Sequence, residues 1–258
     1  MKFKLMTYNI ASCRNYKLGP DFRPIVREFD PYIEALKGFA PDICGLNEVD
    51  YKLPRSCRVK MAELLGNAIG YESAFAPAVT WGLGTYGNGF ISKHNIKEAE
   101  VYPIPDPEEK NEDAYYETRV VLHTVVDMGG RDVDVFVTHF GLARAEAQNA
   151  ANTLVELIKR CENPVILMGD FNLPASDPIL APLFELLQDT FTVYPDKDVY
   201  TYPSDPIITQ KPEHYNKIDY IFVSRHFKVE SVEIPALLLS DHKPYIANVE
   251  LLDDETIE

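Results

Sequence analysis

Again and again in this chain a short apolar run ends on an amide, a carboxylate or an imidazole. KFKLMTYN closes on Asn9, DICGLNE on Glu48 and VDVFVTH on His139. VILMGDFN carries Asp170 and Asn172, KIDYIFVS holds Asp219, and ALLLSDH delivers Asp241 and His242. Runs this short and this apolar read as buried strands, so each brings a polar side chain to a sheet edge. Any one of them alone has a plain explanation: a cap, a satisfied core histidine, or an Asp-x-Asn turn after glycine. A whole series is harder to dismiss, because each unpaired buried charge costs on the order of several kcal/mol. Mutual pairing or a bound cation offsets that cost.

The remaining pattern alternates strand-like and helix-like segments without a composition break. Residues 2–10, 42–49, 71–76, 88–92, 96–102, 119–127, 133–139, 165–168, 218–223, 229–234 and 245–251 read as strands. Residues 25–39, 61–69, 143–161 and 179–187 have helical spacing, with Pro31 breaking or restarting the first and Gly70 stopping the second. The helix at 143–161 carries Gln148, Asn152 and Glu156 on its polar face. Many strands with about four helices, in an order that is not strict βαβ, imply two packed sheets flanked by helices. With no repeat and no linker, residues 1–258 read as a single domain.

Charge narrows the partners. Lys and Arg total 25 against 40 Asp and Glu, a net charge of −15, and no Lys/Arg run supplies a basic patch. Such a surface repels polyanions, which argues against duplex nucleic acid and anionic membranes. No apolar stretch reaches the roughly 18 residues a spanning helix needs. The four cysteines lack C-x-x-C spacing and read as buried or free thiols. The N-terminus MKFKLMTYNI has no apolar run before the first strand, so a cytoplasmic location is expected.

Carboxylate and amide oxygens without clustered cysteines are hard donors that suit Mg²⁺, with Mn²⁺ as a substitute, over zinc. Glu48 alone or with Asp241 is enough for an ion that keeps several waters and binds substrate phosphate oxygens. Two histidines beside carboxylates then suit phosphoryl chemistry, one holding a non-bridging oxygen and one handling a proton with an Asp.

TYN (Thr7–Asn9), LNEVD (Leu46–Asp50), YGNGFISK (Tyr86–Lys93), THFGL (Thr138–Leu142), GDFN (Gly169–Asn172), IDYIFVS (Ile218–Ser224) and SDHKP (Ser240–Pro244) run in the order of one known family. Together they resemble the endonuclease/exonuclease/phosphatase superfamily. The bacterial metal-dependent hydrolase group is most similar, since it also carries the stretch from Glu48 to Arg55-Ser56. That resemblance implies the deoxyribonuclease I-like fold: an α+β, four-layer αββα sandwich of two mainly antiparallel sheets, with the active site at one rim. It implies Mg²⁺-dependent hydrolysis of a phosphate ester. Position by position it implies Glu48 as main metal ligand with Asn9 and Asp241 nearby, and Asp170 orienting or deprotonating the attacking water. Asn172 would hold a phosphate oxygen, and His139 would stabilise transition-state charge. Asp219 and His242 would form the other half of the site. Between Asp170 and His242, Asp170 is the preferred base.

Two features depart from the family pattern: the basic or aromatic insertions usual around the site in nucleases that grip duplex DNA are not evident, and the residue before the metal ligand differs. Asn47 stands where many relatives have Gln, a change that leaves Glu48 intact. Glu117 and Arg119 fall near the rim and read as a buried ion pair in preference to a phosphate site. Arg55 is the better candidate for a substrate phosphate or head group, and Asn88 is a candidate to orient His139 at the substrate. Specificity belongs to the loops 80–87, 105–117 and 192–217. The leading expectation is a phosphodiesterase or phosphomonoesterase acting on a small or lipid-derived substrate. A nuclease or abasic-site endonuclease, and a catalytically inactive binding module, are the alternatives.

Overall fold

The central strands of this protein serve two cores at once. The computed structural model describes residues 1–110, 113–194 and 199–253, so parts of the loops 105–117 and 192–217 lie outside the described residues. Strand β7 (Asp132–His139) turns Val133, Val135 and Val137 toward one core and Phe136 toward another. In β1 (Lys2–Asn9), Phe3 and Leu5 join the first core, while Met6 and Tyr8 pack outward. Strand β8 (Val165–Asp170) sorts Ile166 and Met168 from Val165 and Leu167 in the same way. The period of two is intrinsic to the pleat, and burial on both faces makes these runs apolar nearly throughout.

The remaining strands are β2 (Ile43–Tyr51), β3 (Glu72–Trp81), β4 (Gly84–Ser92), β5 (Ile96–Pro103), β6 (Val120–Asp127), β9 (Gln188–Asp189), β10 (Asp219–Val223), β11 (Phe227–Glu233) and β12 (Tyr245–Leu251). They form two six-stranded sheets, in the orders β11-β12-β1-β2-β4-β3 and β5-β6-β7-β8-β10-β9. Helices α1 (Asp30–Phe39) and α2 (Met61–Ile69) cover the first sheet, and α3 (Arg144–Ile158) and α4 (Ala181–Leu186) the second. The result is the expected αββα sandwich. Among the described residues, only β1–β2 and β7–β8 pair in parallel, at the centre of each sheet, joined through α1 and α3. A parallel pair needs such a crossover, whereas antiparallel neighbours such as β3–β4 and β6–β7 can close with short turns.

Two local expectations shift. The first helix begins at Asp30 rather than residue 25, with Pro31 in its first turn, where a missing N–H costs nothing. The segment 179–187 holds the end of a 3₁₀ turn (Pro178–Leu180) and helix α4, and the two-residue strand β9 follows it. A two-residue strand is too short to show alternation.

This topology builds a rim. Strands β1, β2, β7 and β8 deliver their C-terminal ends to one edge, and β10 and β12 begin there because they run antiparallel to β8 and β1. Register puts His139 and Asp219 on either side of Asp170, and Asn9 beside Asn47. Asn9, His139, Asp170 and Asp219 continue the alternation of the inter-sheet face, so they are where the apolar core gives way to polar side chains. Gly169 has φ +148°, and a Cβ there would lie 1.9 Å from the Thr138 carbonyl oxygen. Gly169→Ala is therefore expected to destabilise the fold by about 3 kcal/mol, read from the urea midpoint at constant slope.

Candidate active site

Glu48 and Asn47 owe their separate orientations to a bulge. Between the pairs Leu46–Gly89 and Val49–Gly87, β2 spends two residues where β4 spends only Asn88. The extra residue lets Asn47 stay on the inter-sheet face while Glu48, at φ +59°, turns to the rim. A non-glycine residue in the left-handed region is strained by about 1 kcal/mol or more, a cost the surrounding bonds must offset.

Asn47 is fully buried and ties the sheets together. Its Nδ2 donates to Asn88 Oδ1 (2.9 Å) and to the Thr138 carbonyl (2.7 Å), and its Oδ1 accepts from the Asp170 N–H (2.9 Å). Asn88 in turn donates to the Val120 carbonyl at 3.0 Å. Asn88 therefore bonds Asn47 and β6, not His139, and at 2% exposure it has no face for substrate. The Asn47 amide is a structural bridge that residue spacing did not reveal.

Asp170 Oδ2 sits among three donors. Asn9 Nδ2 reaches it at 3.0 Å, and the Nε2 atoms of His139 and His242 each lie 3.5 Å away. Its Oδ1 accepts the Asn172 N–H at 2.9 Å. Burial, with Asp219 beside it, pushes the Asp170 carboxyl up to about 6 although His242 pulls the other way. Asn9 also donates to Glu48 Oε1 at 3.2 Å, while its own Oδ1 accepts the Ala11 N–H. It thus presents nitrogen to the two carboxylates and its oxygen to the Ala11 N–H, linking Glu48 to Asp170. Asn172 Nδ2 donates to the Phe140 carbonyl, which fixes the GDFN turn at the pocket wall.

The two histidines differ in charge. Arg119 Nη1 donates to His139 Nδ1 at 3.0 Å, which leaves the proton on Nε2, facing the pocket. Burial, then Arg119 and His242, hold the His139 pKa well below its ordinary value, so this imidazole is neutral. Arg119 is itself paired with Glu117 at 3.1 Å, the buried ion pair expected at this rim. For His242, burial opposes charge, but Asp219 and Asp170 outweigh it and raise the pKa well above the usual value. His242 Nδ1 bonds Asp219 Oδ2 at 2.9 Å.

Glu48, Asp170, Asn172, Asp241, His139 and His242 line one open pocket of about 390 Å³, with Tyr86, Tyr115, Leu142 and Tyr202 among its walls. Burial and then Asp241 push Glu48 up to about 7. Asp219 Oδ1 is buried without a hydrogen-bond partner among the described residues. Such crowding of carboxylates fits a divalent cation. Asp170, Asp219 and His242 bring ligand atoms within 4.8 Å of one another, but the His242 imidazolium already offsets one of the two carboxylates in that trio. Glu48 retains acceptor capacity, with Asn9 its one described side-chain partner. Asp241 is held by Tyr16 (3.1 Å) and Ser240 (3.0 Å).

Arg55 is neither a free surface arginine nor a wall of this pocket. Its fork grips the buried Asp50 at 2.7 and 2.9 Å, and its plane lies 4.8 Å from the Trp81 ring. Asp50 and Tyr16, which position parts of the rim, carry no local signal that would single them out. The cysteines are free, with Cys13 and Cys44 buried.

The sequence profile described as "Endonuclease/Exonuclease/phosphatase family" matches residues 6–242, and the chain belongs to that family. Its members are hydrolases acting on phosphate esters. An endonuclease/exonuclease/phosphatase from Beutenbergia cavernae superposes with TM-score 0.77 at 21% identity, covering 97% of this chain and 72% of that one. A family protein from Bacteroides vulgatus gives 0.74 at 22%, covering 97% and 99%. A mannosyl-6-phosphatase from Bacteroides thetaiotaomicron gives 0.68 at 19%, covering 97% and 100%. No curated protein sequence matches the chain.

Asn47→Ala strips partners from buried polar groups of both sheets and is expected to cost about 3 kcal/mol in urea unfolding. Arg119→Met removes a cation from beside His139. The His139 imidazole should then protonate at higher pH than in wild type, as followed by proton NMR of metal-free protein.

Proposed function

We propose that this chain is a Mg²⁺-dependent phosphoesterase, with Mn²⁺ able to substitute, that hydrolyses a diester or monoester of a small or lipid-derived substrate. The observation that carries this reading is the rim where a neutral His139, a protonated His242 and the carboxylates of Glu48, Asp170 and Asp241 face one pocket.

Glu48 and Asp241 would hold the cation, which when bound supplies charge neutralisation and Lewis acidity at a phosphoryl oxygen. Asp170, with a pKa near 6, is mostly ionised at neutral pH yet basic enough to take a proton from an attacking water. Asn9 holds that carboxylate in place from the opposite sheet. His139 offers an uncharged Nε2–H to a non-bridging oxygen as negative charge grows on it, a preorganised donor in a largely buried site. His242 keeps its proton through Asp219 and can bond the phosphate or deliver that proton to the departing oxygen.

A pocket of this size, in a chain of net charge −15, favours small esters over a polyanionic duplex. The fold neighbour described as a mannosyl-6-phosphatase agrees with that preference. The test is a Mg²⁺ and Mn²⁺ activity screen over phosphomonoesters, phosphodiesters, phospholipids, inositol phosphates, and duplex and abasic DNA. Glu48→Ala and His242→Ala should each lower turnover of the best substrate by at least about a hundredfold. Wild-type rates in both variants would remove the proposed site, and DNA turnover matching the best small ester would make the protein a nuclease.

A further inference from the structure

Beside Glu48 lies a second pocket, of about 220 Å³, whose chemistry is the reverse of the first. Arg14, Arg27 and Arg55 line it together with Tyr16 and Trp81, and Glu48, Tyr86 and Glu117 form part of both pockets. The two spaces are therefore neighbours across the Glu48 carboxylate. A convergence of guanidinium groups is unexpected on a chain with 40 acidic residues against 25 basic ones.

The local backbone makes the convergence costly. Arg14 and Arg27 face each other across an isolated antiparallel bridge, an arrangement in which like charges repel. Neither forms an ion pair among the described residues. Arg14 donates to the Pro20 carbonyl and lies 4.6 Å from the Tyr16 ring, and Arg27 Nη1 reaches only the Arg55 carbonyl, at 3.5 Å. Arg27 Nε is buried without a hydrogen-bond partner among the described residues. Burial, then Arg55, lowers the Arg27 pKa, as expected of a cation crowded by cations. Asp50 compensates Arg55 alone of the three with a direct ion pair. The remaining carboxylates of the wall are Glu48, facing the cation position, and Glu117, bonded to Arg119.

Paired forks of this kind match the oxygens of a phosphate or a carboxylate. We propose that the arginine pocket binds a second anionic group of the substrate, so that the protein acts on a small phosphate ester carrying another phosphate or a carboxylate beyond the scissile one. The proposal rests on the phosphoesterase reading for the neighbouring pocket. It adds the substrate class: Arg14 and Arg27 select the second anion, and Tyr86, on which Trp81 stacks at 5.6 Å, is a wall common to both subsites.

Butyl phosphate, its analogue with a terminal carboxylate, and butanediol bisphosphate separate these requirements. Calorimetric titration in EDTA measures binding without turnover. Wild-type protein should bind at least one of the two doubly anionic compounds about tenfold or more tighter than butyl phosphate, and the stronger one tells phosphate from carboxylate. Arg14→Gln/Arg27→Gln should lose that margin, with a thermal midpoint near wild type. If the double variant does not fold, Arg27→Lys, which keeps charge but not the fork, should lose part of the margin. Equal binding of all three compounds by wild type, or an unchanged margin in the folded variant, overturns the proposal. A preserved margin in wild type with no Mg²⁺-dependent hydrolysis of any ester would instead leave the arginine pocket standing and remove the phosphoesterase reading.

Discussion

One primary amide holds the working edge of this protein together. Asn47 projects from β2 across the gap between the sheets, donates to the Thr138 carbonyl and accepts from the Asp170 N–H. Apolar contact alone leaves two packed sheets free to slide by fractions of an ångström, because dispersion is non-directional. Hydrogen bonds are not. With this bridge the distances from Asp170 to Asn9, His139 and His242 are set by chemistry from both sheets, and a reaction centre depends on such distances. The bulge beside it releases Glu48 to the rim without taking Asn47 away.

Electrostatics around that bridge divides the labour between two histidines. Both are buried and each has an Nε2 atom 3.5 Å from the same carboxylate oxygen, yet their partners at Nδ1 are opposite in charge. Arg119 makes His139 a neutral donor, and Asp219 makes His242 a cation. Neighbours, not residue type, decide which imidazole can give up a proton and which can only share one. The carboxylates of the rim are raised by burial and by each other, the condition a divalent cation relieves.

The same reasoning connects the two pockets. The main site concentrates carboxylates, and the adjoining one concentrates arginines, in a chain of net charge −15. Charge so strongly sorted over adjacent pockets cannot come from composition, since an average over 258 residues shows only the negative excess. In the reading proposed above, this sorting is what would give the site a preference among small anionic esters.

Much of the fold was legible in advance, and for a physical reason. Strands buried on both faces must be apolar nearly throughout, so the runs ending at Asn9, His139 and Asp170 announced themselves, as did the inward polar residue at each end. Helix α2 was legible from its apolar spacing and the left-handed Gly70 that ends it. Pairing was not legible. The sequence by itself determined which residue types stand at strand ends, the family they belong to and the acidic balance of the whole. Only the tertiary structure decided that Asn9 shows its nitrogen, that Asn88 bonds to Asn47, that Arg55 grips Asp50, and that Arg14 meets Arg27. Those outcomes depend on register and on a bulge of one residue, which bring together groups far apart along the chain and leave no local pattern to read.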